Sequence, residues 1–168
     1  MHRSLIAMLA STMLASAPVF AHGDSKNDKK VARPISTEEK TFGREGDPGK
    51  VSVTVRVDMS DKMRFTPARL TVRQGETVKF VVRNGGRVMH EMVLGTMQDL
   101  KEHAELMKKH PGMEHDEPHM SHVAPGKTGS MVWQFTRAGE FHFGCLLPGH
   151  FEAGMVGQIR VLARGEKK

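Results

Sequence analysis

From Val51 onward, apolar and polar residues alternate with a period of two. Val51, Val53, Val55 and Val57 stand between Ser52, Thr54 and Arg56, which is how a half-buried β-strand reads. The run Phe65 to Val72 leads to a turn at Gln74-Gly75, and Thr77 to Val82 forms the next strand pattern, closed by Asn84-Gly85-Gly86. Further strand patterns follow at 88–94, 130–136, 139–145 and 155–162. Seven or so short strands separated by turn residues, with little helix, predict an all-β protein built as an antiparallel β-sandwich.

Three stretches depart from this pattern. Residues 95–127 interrupt the strands; within them 99–109 has helical composition, with Leu100, Ala104 and Met107 on one face at three- and four-residue spacing. The following stretch, His110 to His122, is expected to be too polar and broken for regular structure, and an excursion of this length points to function or disorder rather than a plain connector. Residues 22–49 are charged and short of large apolar side chains, so they are expected to form a flexible lead. The opening residues carry His2 and Arg3, an apolar stretch from Leu5 to Phe20, and Val19-Phe20-Ala21, small at the two positions a signal peptidase reads. The stretch is too short and too polar for a membrane span. The expected organisation is a signal peptide at 1–21, a lead at 22–49 and one domain at 50–168 with an insertion at 95–127, with no membrane attachment after cleavage.

Secretion sharpens the meaning of the cysteine content. The chain has 1 Cys, so no intramolecular disulfide can form, and a lone thiol in an oxidising compartment needs protection by burial or by a metal. The formal net charge of +6 is spread along the chain and lacks aromatic-basic interleaving. It supports solubility and an acidic docking partner and argues against nucleic acid as a ligand.

The cysteine begins the run Cys145-Leu146-Leu147-Pro148-Gly149-His150-Phe151-Glu152-Ala153-Gly154-Met155, which places a thiolate, an imidazole and a thioether on one short loop. A His2Cys set with a weak axial Met suits copper, and His90, in Val88-Met89-His90-Glu91-Met92, is the candidate second histidine. Phe141, Phe143 and Cys145 alternate on a strand and should face inward, with His142 pointing away. Pro148-Gly149 and Ala153-Gly154 supply tight turns. Each residue also has an ordinary reading. Cys145 alone fits a small buried hydrophobe, Met155 a core side chain, and His90 and His150 unpartnered loop histidines. Zinc accepts Cys and His too, but its fourth ligand is usually His, Cys or carboxylate rather than a thioether.

The stretch from Gly139-Glu140-Phe141 through Cys145 to Gly154-Met155-Val156-Gly157 resembles the cupredoxins, the small blue-copper proteins that include plastocyanin, azurin and auracyanin, over about residues 50–163. The resemblance implies an eight-stranded Greek-key β-sandwich with one type 1 copper at one end, held by His90, Cys145 and His150 with Met155 axial. It also implies one-electron transfer through the edge of His150, with a redox partner protein the sequence does not name. Where many members carry Asn after the first histidine, this chain has Glu91. The insertion gives it the look of the small periplasmic cupredoxins associated with copper tolerance, so the expected setting is the periplasm and the expected role copper homeostasis, as a monomer and without enzymatic turnover. The alternative role is a dedicated electron carrier between respiratory or oxidase partners.

Between Met97 and His122 lie four Met and five His. Thioether and imidazole both bind copper, so His115, His119, Met120 and His122 are candidates for a secondary, weaker copper site, with His119 and His122 near enough in sequence to chelate together. Packing and solvation are the competing roles. His22, the first residue after cleavage, could bind Cu(II) through its amine and ring, a weak site at best. Multicopper oxidase chemistry would need further copper ligands, and a binuclear centre would need a second cysteine. Hydrolysis by Cys145 is disfavoured by its inward position.

Overall fold

The structure is a computed structural model that describes residues 33–111 and 116–167. The expected signal peptide, His22 and His115 lie outside the described residues. The elements follow the alternation of the sequence: β1 (Glu39–Lys40), β2 (Gly43–Glu45), β3 (Val53–Ser60), β4 (Arg64–Thr66), β5 (Arg69–Arg73), β6 (Thr77–Asn84), β7 (His90–Gly95), α1 (Met97–Lys109), β8 (Met120–Val123), β9 (Thr128–Gln134), β10 (Gly139–Gly144) and β11 (Val156–Leu162). They form two sheets, β1-β2-β9-β6-β3-β4 and β5-β11-β10-β7-β8. The all-β sandwich with a short helix is therefore the observed fold.

Inward positions of both sheets meet in one core that includes Val57, Phe80, Val82, Met92, Leu94, Trp133, Phe135, Phe143 and Ile159. Burial of this apolar surface is the main favourable contribution to folding. The outer face of the second sheet has its own cover. Leu100, Ala104 and Met107, the helical face read from the sequence, pack with Val93, Met120 and Leu146. β7 is thus enclosed on both sides and buried along its whole length, which explains why its sequence runs apolar without alternating. Thr96 starts α1 with a capping box: its hydroxyl accepts from Asp99 N, and the Asp99 carboxylate accepts from Thr96 N.

Several expectations are corrected. Two pairings are parallel, β3 with β6 and β5 with β11. The chain leaves the first sheet after β4, runs through β5 in the second and returns as β6, and such crossings place parallel strands side by side. Nor is the lead flexible throughout. β1 and β2 pair with each other and β2 with β9, because Phe42 is buried, stacks on Trp133 with ring centroids 5.1 Å apart, and accepts the indole N–H at its carbonyl. One aromatic anchor orders an otherwise polar segment. Finally, Met120–Val123 is a strand rather than irregular chain, since it pairs with β7 and buries Met120 and Val123.

Candidate metal centre

β7 and β10 run antiparallel, with Gly144 paired to Val93, so the start of β7 and the end of β10 reach the same end of the sandwich. His90 opens β7 and Cys145 follows β10; both are fully buried. The chain then folds back through His150 to Met155, which starts the return into β11. Backbone bonds close this loop on itself: His150 N donates to Leu147 O, Met155 N to His150 O, and Cys145 N to Met155 O, all at 3.0–3.1 Å. Gly149 and Gly154 sit at φ +87° and +86°, left-handed backbone that glycine adopts without the steric cost of a Cβ.

The result brings three ligating groups together. Atoms of His90, Cys145 and His150 lie within 4.8 Å of one another, the one such group of three among the described residues. Cys145 Sγ is 3.2 Å from His150 Nδ1. Met155 is fully buried beside them in sequence and in the core. The fit to a metal shows most clearly at His90. Its Nε2–H donates to Asp61 Oδ1 at 3.1 Å, while its buried Nδ1 has no hydrogen-bond partner. A buried ring nitrogen left unpaired is costly in a site without a ligand, and a carboxylate that accepts from the opposite nitrogen is how metal-binding imidazoles are usually held.

Electrostatics point the same way. Burial pushes the Cys145 thiol up to about 12, against the backbone N–H groups of Glu91 and Leu147, which face the sulfur and favour its thiolate. Burial, then the neighbouring His90, holds His150 below the ordinary histidine range, so its imidazole is neutral and available as a ligand. Asp61 is held below the usual carboxylate range, first by the Arg87 backbone N–H, and so remains an acceptor for His90.

Thiolate, two imidazoles and a thioether form the soft, mixed donor set of a type 1 copper site. A family model described as copper binding proteins of the plastocyanin/azurin family matches residues 51–162. The chain belongs to this family. Among its relatives, a copper-resistant cuproprotein CopI of Rubrivivax gelatinosus is 59% identical over 71% of this chain and 73% of its own length. The CopI of Vibrio cholerae serotype O1 is 37% identical over 68% of this chain and 69% of its own. Auracyanin B superposes with a TM-score of 0.61 at 21% identity, covering 71% of this chain and 96% of that one, and a reduced auracyanin from Roseiflexus castenholzii gives 0.58 at 19%, covering 67% and 98%. These structures share the fold. As a plastocyanin/azurin-family protein, the chain has copper as its cofactor.

Three residues organise this end in ways the sequence did not reveal. Asp61 belongs to a surface turn with no local signal. Asn84, read only as part of a turn, is fully buried; its amide donates to Val88 O and Val123 O at 2.8 Å and its oxygen accepts from Gly86 N, setting the approach to His90. Glu91 stands where many cupredoxins have Asn, and its Oε1 accepts from Leu146 N at 2.8 Å. A carboxylate inside an apolar run was the available clue.

The described candidate secondary residues, His119, Met120 and His122, have separate surroundings. Met120 packs against α1. His122 lies opposite Glu91 and donates through Nε2 to its Oε2 at 2.7 Å. His119 instead meets Phe42 and Trp133, with ring centroids 5.5 and 5.9 Å away, and lines a cleft of about 420 Å³ with His103 and Asp99. His119 and His122 therefore have different partners.

Proposed function

We propose that this protein is a periplasmic type 1 copper protein that serves copper tolerance and cycles a single electron, with His90, Cys145, His150 and axial Met155 holding the metal. The observation that carries the reading is the unpaired, buried Nδ1 of His90, on a ring grouped with Cys145 and His150. Copper there would supply one-electron chemistry. The chain's contribution is a ligand set held by backbone bonds and by Asp61, so that little rearrangement accompanies a change of charge. The tolerance role is supported by the CopI relatives, whose names describe copper-resistant cuproproteins.

Copper titration of the mature protein, followed by visible absorption and metal analysis, tests this reading. Intense thiolate-to-copper absorption that saturates at one copper and vanishes in Cys145→Ala is expected. Colourless copper-loaded protein, with copper affinity unaffected by Cys145→Ala, overturns it. Storage of additional copper in the excursion finds its best support in His119, which shares a cleft with His103; copper taken up without colour and lost in His119→Ala is the corresponding result.

A further inference from the structure

We propose that His122 acts on the copper centre as a positioning residue, holding the Glu91 carboxylate in the orientation that fixes the backbone around Cys145. The proposal rests on copper being bound at His90, Cys145 and His150. Glu91 and His122 face each other directly across β7 and β8, so their side chains project from the same face of the sheet. The Glu91 side chain is 3% exposed and its two oxygens have different tasks: Oε1 takes Leu146 N at 2.8 Å and Oε2 takes His122 Nε2 at 2.7 Å. Turning the carboxylate to suit one partner loses the other, and a buried carboxylate with an unpaired oxygen is strongly disfavoured.

The consequence reaches the sulfur by short steps. Leu146 follows Cys145 directly, and the two backbone N–H groups that face Sγ belong to Glu91 and Leu147. Glu91 thus supplies one donor to the sulfur and clamps the residue between Cys145 and the other donor. Hydrogen bonding around the cysteine sulfur tunes both the potential and the electronic character of a type 1 site. His122, with 35% of its side chain exposed, is the end of this chain that meets solvent. An insertion residue that reads in sequence as a second-site ligand would then serve the first site.

The test uses the full copper-loaded protein with His122→Leu and His122→Gln, reading copper per chain, visible absorption and reduction potential. His122→Leu is expected to retain copper at Cys145 but shift both the absorption band and the potential. His122→Gln, whose amide N–H can donate to Glu91, is expected to return both toward the unmodified protein. A His122→Leu protein with unchanged band and potential overturns the proposal, as does a His122→Gln protein that matches His122→Leu. Loss of one copper per chain with the colour intact also overturns it, by making His122 a ligand elsewhere. If His122→Leu fails to fold, Glu91→Gln decides: a shifted potential with copper retained is expected, and an unshifted one is contrary. Absence of thiolate-to-copper absorption in the unmodified protein would instead mark failure of the copper-site reading itself.

Discussion

The loop 145–155 and the excursion 95–127 are both rich in residues that bind copper, yet the fold treats them differently. The loop carries one cysteine, one histidine and one methionine; a strand end and two glycine turns bring Cys145 and His150 together with His90, and Met155 is buried in the core. The excursion carries more histidines and methionines, but its described members are distributed. Met107 and Met120 enter a small core, His122 joins Glu91, and His119 packs on aromatic rings. Ligand-type side chains make a centre only where backbone geometry makes them converge. Composition alone does not distinguish these cases.

This contrast can be broken most decisively at the loop. Cys145→Ala is expected to abolish the thiolate-to-copper absorption completely, as seen in the visible spectrum of copper-loaded protein; retention of the band would mean that it does not arise from a thiolate, since the chain has 1 Cys. Next is the structural role of the excursion. Leu100→Ala removes a buried side chain at the α1 contact and should cost about 2–5 kcal/mol in denaturant unfolding, while the copper colour at neutral pH is retained.

Acid should expose another difference. Burial, the largest cause, holds His119 at about 4 against an ordinary 6.5, so the folded protein resists a proton that the unfolded chain accepts. The associated stability is fully present above about pH 6.5 and declines as pH falls toward 4, by roughly 3 kcal/mol. Unfolding of the copper-free protein between pH 7 and 4 should show this decline, and His119→Gln should flatten it. The smallest effect concerns tuning rather than presence of the centre. Asp61→Ala frees the His90 ring and should weaken copper affinity by about 10–100-fold, measured by competition with a chelator, with the colour still visible at saturation.

The three loop residues proposed as copper ligands were legible because their information is local. The spacing from Cys145 through His150 to Met155 lies within one loop, and the alternation of Phe141, Phe143 and Cys145 indicated which way the thiol points. The same holds for α1, whose buried Leu100, Ala104 and Met107 follow helical spacing. What remained hidden depends on partners distant in sequence. Phe42 orders the lead only because Trp133 receives it, β8 forms only because β7 offers an edge, and the parallel pairings follow from crossings between sheets. Asp61 is 29 residues from the ring it orients. Glu91 was visible as an oddity, but its meaning required knowing that Leu146 and His122 lie on either side of it.

The high affinity of the Cys145 thiol for its proton has a consequence for the protein before it meets metal. Oxidative damage to cysteine proceeds from the thiolate and needs access to the sulfur, and the enclosed side chain offers little of either. The empty protein should therefore keep well in an oxidising medium, its one irreplaceable sulfur in reserve. Since the metal-binding form of cysteine is the thiolate, each copper ion captured must also displace a proton. Shelf life and readiness are thus set against each other by the burial of a single side chain.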